Sequence, residues 1–105
     1  MLEYHLFLGR NIAGRQSLAD TEWADFAARV VTPNLPDGFT AFDAYGQWMN
    51  PATRRISGEA TEVLIVAVPD TPASDRAIKA IEDAYKAEFH QQSVGMTVAP
   101  VCAAF

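Results

Sequence analysis

Asp43, Tyr45, Gln47 and Glu59 carry the groups that general acid–base chemistry uses. Alternate residues of an extended strand share a face, so Asp43, Tyr45 and Gln47 line up together. Three polar groups in a row fit a face turned to a cavity or to water, which sends Phe42 and Trp48 toward the helices. A hairpin register with Tyr45 opposite Glu59 also sets Gln47 opposite Ser57 and Asp43 opposite Thr61, gathering the polar side chains on one face. A slip of one residue moves Glu59 to the other face. In a partly apolar cavity the charged form of Glu59 is disfavoured, which raises its pKa toward the range useful for proton transfer. Glu59 is then the general base or acid. Tyr45 donates a hydrogen bond to a developing oxyanion, and Gln47 orients a carbonyl or hydroxyl. His5, Arg10, Asp43 and Trp48 complete the expected substrate-binding set, with Arg10 anchoring a carboxylate.

Each residue also has a plainer reading. Glu59 suits a surface strand or a dimer salt bridge, Tyr45 an interface or core aromatic, and Gln47 a hairpin tie. Asp43 suits a solvated strand, His5 a satisfied strand histidine, and Arg10 a surface charge. Asp37, in Pro36-Asp37-Gly38, belongs to a turn. Cys102, in an apolar C-terminal strand, reads as a small buried hydrophobe.

The elements that must position these groups follow from periodicity. Tyr4–Leu8 alternates and reads as a strand; Gly9–Asp20 reads as a loop long enough to act as a lid. Thr21 caps a helix whose apolar face is Trp23, Phe26, Ala27, Val30 and Val31, stopped by Pro33 and Pro36. Phe39–Trp48 is the second strand, Asn50-Pro51 opens a hairpin loop, and about Arg55 to Val68 is the third strand. After a loop at Pro69–Ser74, with Thr71 or Ser74 as cap, a second helix carries Ala77, Ile78, Ile81, Ala84, Tyr85 and Phe89 on one stripe. Asp75–Lys79 and Glu82–Lys86 are spaced to pair on its wet side. Ser93–Ala103 is the last strand. The order β-α-β-β-α-β predicts an α+β, ferredoxin-like domain over residues 1–105, with two helices on one face of a four-stranded antiparallel sheet. A second copy is expected to cover the other face as a dimeric α+β barrel.

The chain has 105 residues and a net charge of −5. Its acidity argues against a nucleic-acid backbone binder, and no apolar run reaches a membrane span. One cysteine allows no internal disulfide, and the two histidines, His5 and His90, lack metal-ligand spacing, so neither a metal nor another cofactor is expected. The start lacks the basic and apolar segments of a secretory signal, which points to the cytoplasm for a full-length chain.

Thr32–Thr40 (TPNLPDGFT), Asp43–Trp48 (DAYGQW) and Ile56–Glu59 leading into Val63–Val66 resemble a family of short bacterial proteins catalogued as a domain of unknown function. Leu6–Arg10 and Val101–Phe105 are similar to that family's ends. Ser57-Gly58-Glu59 departs from it, because the family more often has a basic residue directly before the Glu. The resemblance implies the fold and the candidate site, with no established activity attached.

Two functions of different class fit. One is a cofactor-independent enzyme of isomerase or lyase type on a small organic molecule, with cofactor-free oxygen chemistry as a subtype. The alternative is a non-catalytic module that binds a small ligand or dimerises.

Overall fold

The computed structural model describes residues 1–105. The elements are β1 (Leu2–Gly9), α1 (Asp20–Phe26), a π-helical turn (Ala27–Val31), α2 (Thr32–Asn34), β2 (Thr40–Met49), β3 (Ile56–Val68), α3 (Pro72–Phe89) and β4 (Gly95–Pro100). The sheet order is β2-β3-β1-β4, antiparallel throughout. This is the expected α+β layout, with helices on one face of a four-stranded antiparallel sheet. No helix is long and apolar enough to cross a membrane.

Local chemistry sets the helix ends. α1 begins one residue before Thr21, and the Ala19 amide is satisfied by the Glu22 carboxylate at 3.0 Å rather than by a threonine cap. Pro33 offers no N–H, and its ring would crowd the carbonyl four residues back. The helix widens just ahead of it, with the Thr32 amide reaching back to the Ala27 carbonyl. Thr71 caps α3 by accepting from the Ser74 amide, and His90 closes it in the left-handed region at φ 54°. Within α3 the one ion pair is Lys86–Asp83 at 3.6 Å, not either of the spaced pairs expected from the sequence, and Glu88 pairs outward with Arg29.

Even-numbered residues of the central strands face the helices. Tyr4, Leu6 and Leu8 of β1 and Leu64 and Val66 of β3 pack against Phe26, Val31, Ile78, Ile81, Tyr85 and Phe89. Phe26, Tyr85 and Phe89 meet edge to face, with centroids 5.0 to 5.6 Å apart. The opposite face carries Phe7, Phe42, Val63 and Ile65, which the register places in adjacent rows.

The hairpin register corrects the grouping expected from the sequence. Tyr45 pairs with Ala60 rather than Glu59, Gln47 with Gly58, and Asp43 with Glu62. Directly opposed residues share a face. Asp43, Tyr45 and Gln47 therefore lie on the helix side of the sheet, while Glu59 and Trp48 lie on the open side. Phe42 and Trp48, both expected against the helices, are on the open side. The cause is the single-residue slip to which period-two structure is sensitive.

Phe26 is fully buried at the centre of the aromatic cluster. Phe26→Ala should cost about 3–5 kcal/mol in urea denaturation. A loss below about 1 kcal/mol would contradict this packing.

Candidate functional site

Two carboxylates three residues apart on β3 point to opposite faces at the end of β1. Glu59 is on the open face. Its side chain lies across Gly9, where an added Cβ would stand 2.8 Å from Oε2. Oε2 accepts the Asn11 amide at 3.0 Å, and Oε1 has no hydrogen-bond partner. Glycine at position 9 is what lets the carboxylate lie flat on the strand. Behind it, the buried Tyr85 hydroxyl donates to the Gly9 carbonyl at 2.6 Å, and burial pushes that phenol's pKa well up.

Glu59 opens into a cleft of about 520 Å³. Phe7 and Trp48 give it apolar walls, and Asn11, His90 and Gln91 add polar edges. Glu59 is its one carboxylate, and no Lys or Arg lines it. The Gln91 side chain donates to the Asn11 carbonyl at 2.8 Å, which ties the end of α3 to the loop beside Glu59. The cleft therefore offers one carboxylate oxygen free of protein partners, the Trp48 side chain and no Lys or Arg. That combination suits a small organic cation with an aromatic part.

Arg10 and Glu62 occupy the helix side of the same corner. Arg10 is 7% exposed and Glu62 3%. Nε and an Nη2 hydrogen of Arg10 bind the Leu18 carbonyl at 3.1 and 2.6 Å. The remaining donors reach Asp20 at 2.8 Å, Glu62 at 2.8 Å and Asp43 at 3.3 Å. All five donors are thus engaged. Burial, and then the neighbouring Asp43, push the Glu62 carboxyl up to about 7, against the opposing pull of Arg10.

The candidates from the sequence separate accordingly. Glu59 and Trp48 share the open cleft. Arg10 is saturated within the protein and has no donor left for a substrate carboxylate, and Asp43 is one of its partners. Tyr45 and Gln47 are on the other face and cannot polarise a molecule held by Glu59. The Tyr45 ring instead covers Gly58, where a Cβ would meet its hydroxyl at 1.7 Å. His5 is on the open face but four residues up β1 from Gly9, about 13 Å by strand rise; it sits 3.3 Å from Glu3. The Gly9–Asp20 loop is pinned rather than free at its base, because Ile12 and Leu18 are buried and the Leu18 amide bonds the Arg10 carbonyl. Cys102 lies past β4 and is exposed, correcting its expected burial.

Glu62, Asn11, His90 and Gln91 were missed. Glu62 had a signal: it shares parity with Leu64 and Val66, which places it on the core face, where a carboxylate needs a buried partner. The other three reach the site through tertiary placement of a loop and a helix end, which leaves no local pattern.

A family model described as "Protein of unknown function (DUF3574)" matches residues 3–105. No curated protein matches the chain. Among solved structures, it is similar to a phage SAM lyase in complex with S-methyl-5′-thioadenosine, at 12% identity and TM-score 0.68, over 93% of this chain and 79% of that one. A phage SAM lyase in the apo state is similar at 12% identity and TM-score 0.67, over 93% and 78%. At that identity the likeness shows the fold.

The raised Glu62 pKa makes a pH prediction. The folded protein binds this proton more tightly than the unfolded chain does, whose ordinary value is 4.5. The resulting stabilisation is complete below the unfolded value and is lost as pH rises through about 7. Glu62→Gln keeps the neutral form at every pH. Relative to wild type it should gain on the order of 2 kcal/mol between about pH 4.5 and pH 8, read by urea denaturation at both. An unchanged difference across that window would refute the assignment.

Proposed function

Because this chain belongs to DUF3574, whose description carries no activity, its function has to come from the site, and we propose that it is a cofactor-independent small-molecule lyase acting in the open-face cleft. The observation that carries this reading is Glu59: a carboxylate with one oxygen held by the Asn11 amide and the other free, facing Trp48 across a cleft without Lys or Arg. The shared fold with a phage SAM lyase that binds S-methyl-5′-thioadenosine supports a thioether nucleoside as the class of product.

The substrate is then an adenosyl sulfonium such as SAM. Trp48 stacks on the base or meets the sulfonium through its ring face. Glu59 removes a proton from the carbon next to the one bonded to sulfur. The C–H electron pair forms the new C=C bond as the C–S bond breaks and its pair returns to sulfur. The products are a neutral thioether and an alkene, and the proton is on Glu59. A carboxylate and a sulfonium thereby become two neutral species, so the leaving group needs no acid. Chemistry of this kind requires neither metal nor redox cofactor.

The protein acts as a homodimer in this reading. The open face exposes Phe7 beside the cleft and Phe42 further along the same face, apolar surface that helps to exclude water from the reacting centre once a ligand is seated. The same apolar face favours the second reading, a non-catalytic ligand-binding module of the same shape.

Purified protein incubated with SAM should release methylthioadenosine, measured by chromatography. Glu59→Gln should lower the rate by about 10²–10⁴-fold while retaining ligand binding. Wild type that binds methylthioadenosine without turnover supports the binding module; full turnover by Glu59→Gln removes Glu59 from the chemistry.

A further inference from the structure

The β2–β3 hairpin outruns the rest of the sheet. β1 ends its pairing with β3 at Gly9–Thr61, and the Arg10 amide adds one bond to the Ala60 carbonyl, so the backbone of strand residues from Gly46 to Glu59 pairs only within the hairpin. Both faces of this arm carry large apolar groups without cover. Tyr45 is 69% exposed, Met49 50% and Ile56 62% on one face, and Trp48 53% on the other. Its tip is basic. Tyr45–Gly58 holds Arg54 and Arg55 and no acid, in a chain of net charge −5. Neither arginine makes an ion pair, and nor does Arg76 on α3, whereas Arg10, Arg15 and Arg29 all do; only the arm sets two unpaired arginines side by side.

The opposite end of β3 has a complementary feature. A cleft of about 770 Å³ opens there between the Leu35–Thr40 turn, the end of β3 and the start of α3. Leu35, Phe39, Val68 and Ala77 line it, with Glu3 and Asp37 supplying acid. The Asp37 carboxylate, in the turn that the sequence singled out, has no hydrogen-bond partner and no ion pair, so it contributes a free charge. Ile56 and Val68 are twelve residues apart on one strand, about 40 Å, so an arm cannot reach the cleft of its own chain. An antiparallel second copy brings each arm to the other's cleft and satisfies both at once, the self-complementary contact of a two-fold dimer.

We propose that the Tyr45–Gly58 arm of one copy seats in the far-end cleft of a second copy, reciprocally, with Arg54 and Arg55 paired to acids that include Asp37. Apolar contact from Met49 and Ile56 supplies the affinity, and the charges set register and approach. This dimer contact stands independently of what the Glu59 cleft binds.

Sedimentation velocity with the full chain tests it. Wild type should sediment as a dimer whose dissociation constant rises with salt. Arg54→Glu/Arg55→Glu and Asp37→Arg should each weaken the dimer by about tenfold or more, and the triple variant should recover much of the loss. All of these positions are exposed, so circular dichroism should show wild-type folding in each. Met49→Ser/Ile56→Ser should abolish the dimer while staying folded. A monomeric wild type, or a dimer indifferent to these changes, overturns the proposal. A monomer that binds a labelled single-stranded oligonucleotide with salt-sensitive affinity overturns it in favour of a nucleic-acid arm.

Discussion

Arg10 leaves the end of β1 on the helix side of the sheet, and its guanidinium is almost wholly covered. A charge so placed costs several kcal/mol unless every donor finds an acceptor. The acceptors come from four parts of the chain: the Leu18 carbonyl at the loop's return, Asp20 at the start of α1, Asp43 on β2 and Glu62 on β3. The loop therefore closes at a defined point, and the first helix starts at a defined point relative to the sheet. Asn11 is the residue after Arg10, so the amide that holds Glu59 is placed by the same anchor.

Strand parity turns this corner into two environments. Glu59 and Glu62 differ by an odd number of residues and so sit back to back. One lies in an open cleft with a free oxygen; the other is buried against a guanidinium and titrates near neutrality. Identical side chains acquire different chemistry from the dielectric and the partners around them. The buried one steadies the corner, and the open one is available to a ligand. Gly9 sits between them, and only the absence of its side chain lets Glu59 approach the strand so closely.

Much of the fold was legible because it rests on local signals. The apolar stripe Ile78, Ile81, Tyr85 and Phe89 requires a helix, Thr71 and Pro72 start it, and the β-α-β-β-α-β order then leaves few topologies. The candidate site was legible only in part. Glu59 and Trp48 stand out in the sequence and share the open cleft, but the alternation sends Trp48 to the helices and groups Tyr45, Gln47 and Asp43 with Glu59, and the register reverses both. The register depends on the Asn50–Arg55 turn, where Arg54 takes a left-handed conformation that nothing in its residue type announces. Polarity also misled. Tyr45 and Gln47 can lie on the helix side because the arm extends past the helices, so that face is wet there. The sequence leaves Arg10 looking free because its partners lie between eight and fifty-two positions away in the chain.

The central claim is that a small molecule binds at the open face beside Glu59. Titration of isotope-labelled protein with S-methyl-5′-thioadenosine, followed by amide and indole resonances, tests this directly. Shifts should concentrate on Gly9, Asn11, Gly46, the Trp48 indole, Glu59 and His90–Ser93, with Leu35–Thr40 unmoved. Shifts confined to Leu35–Thr40 and Ala73–Ala77, or none at saturating ligand, would contradict it.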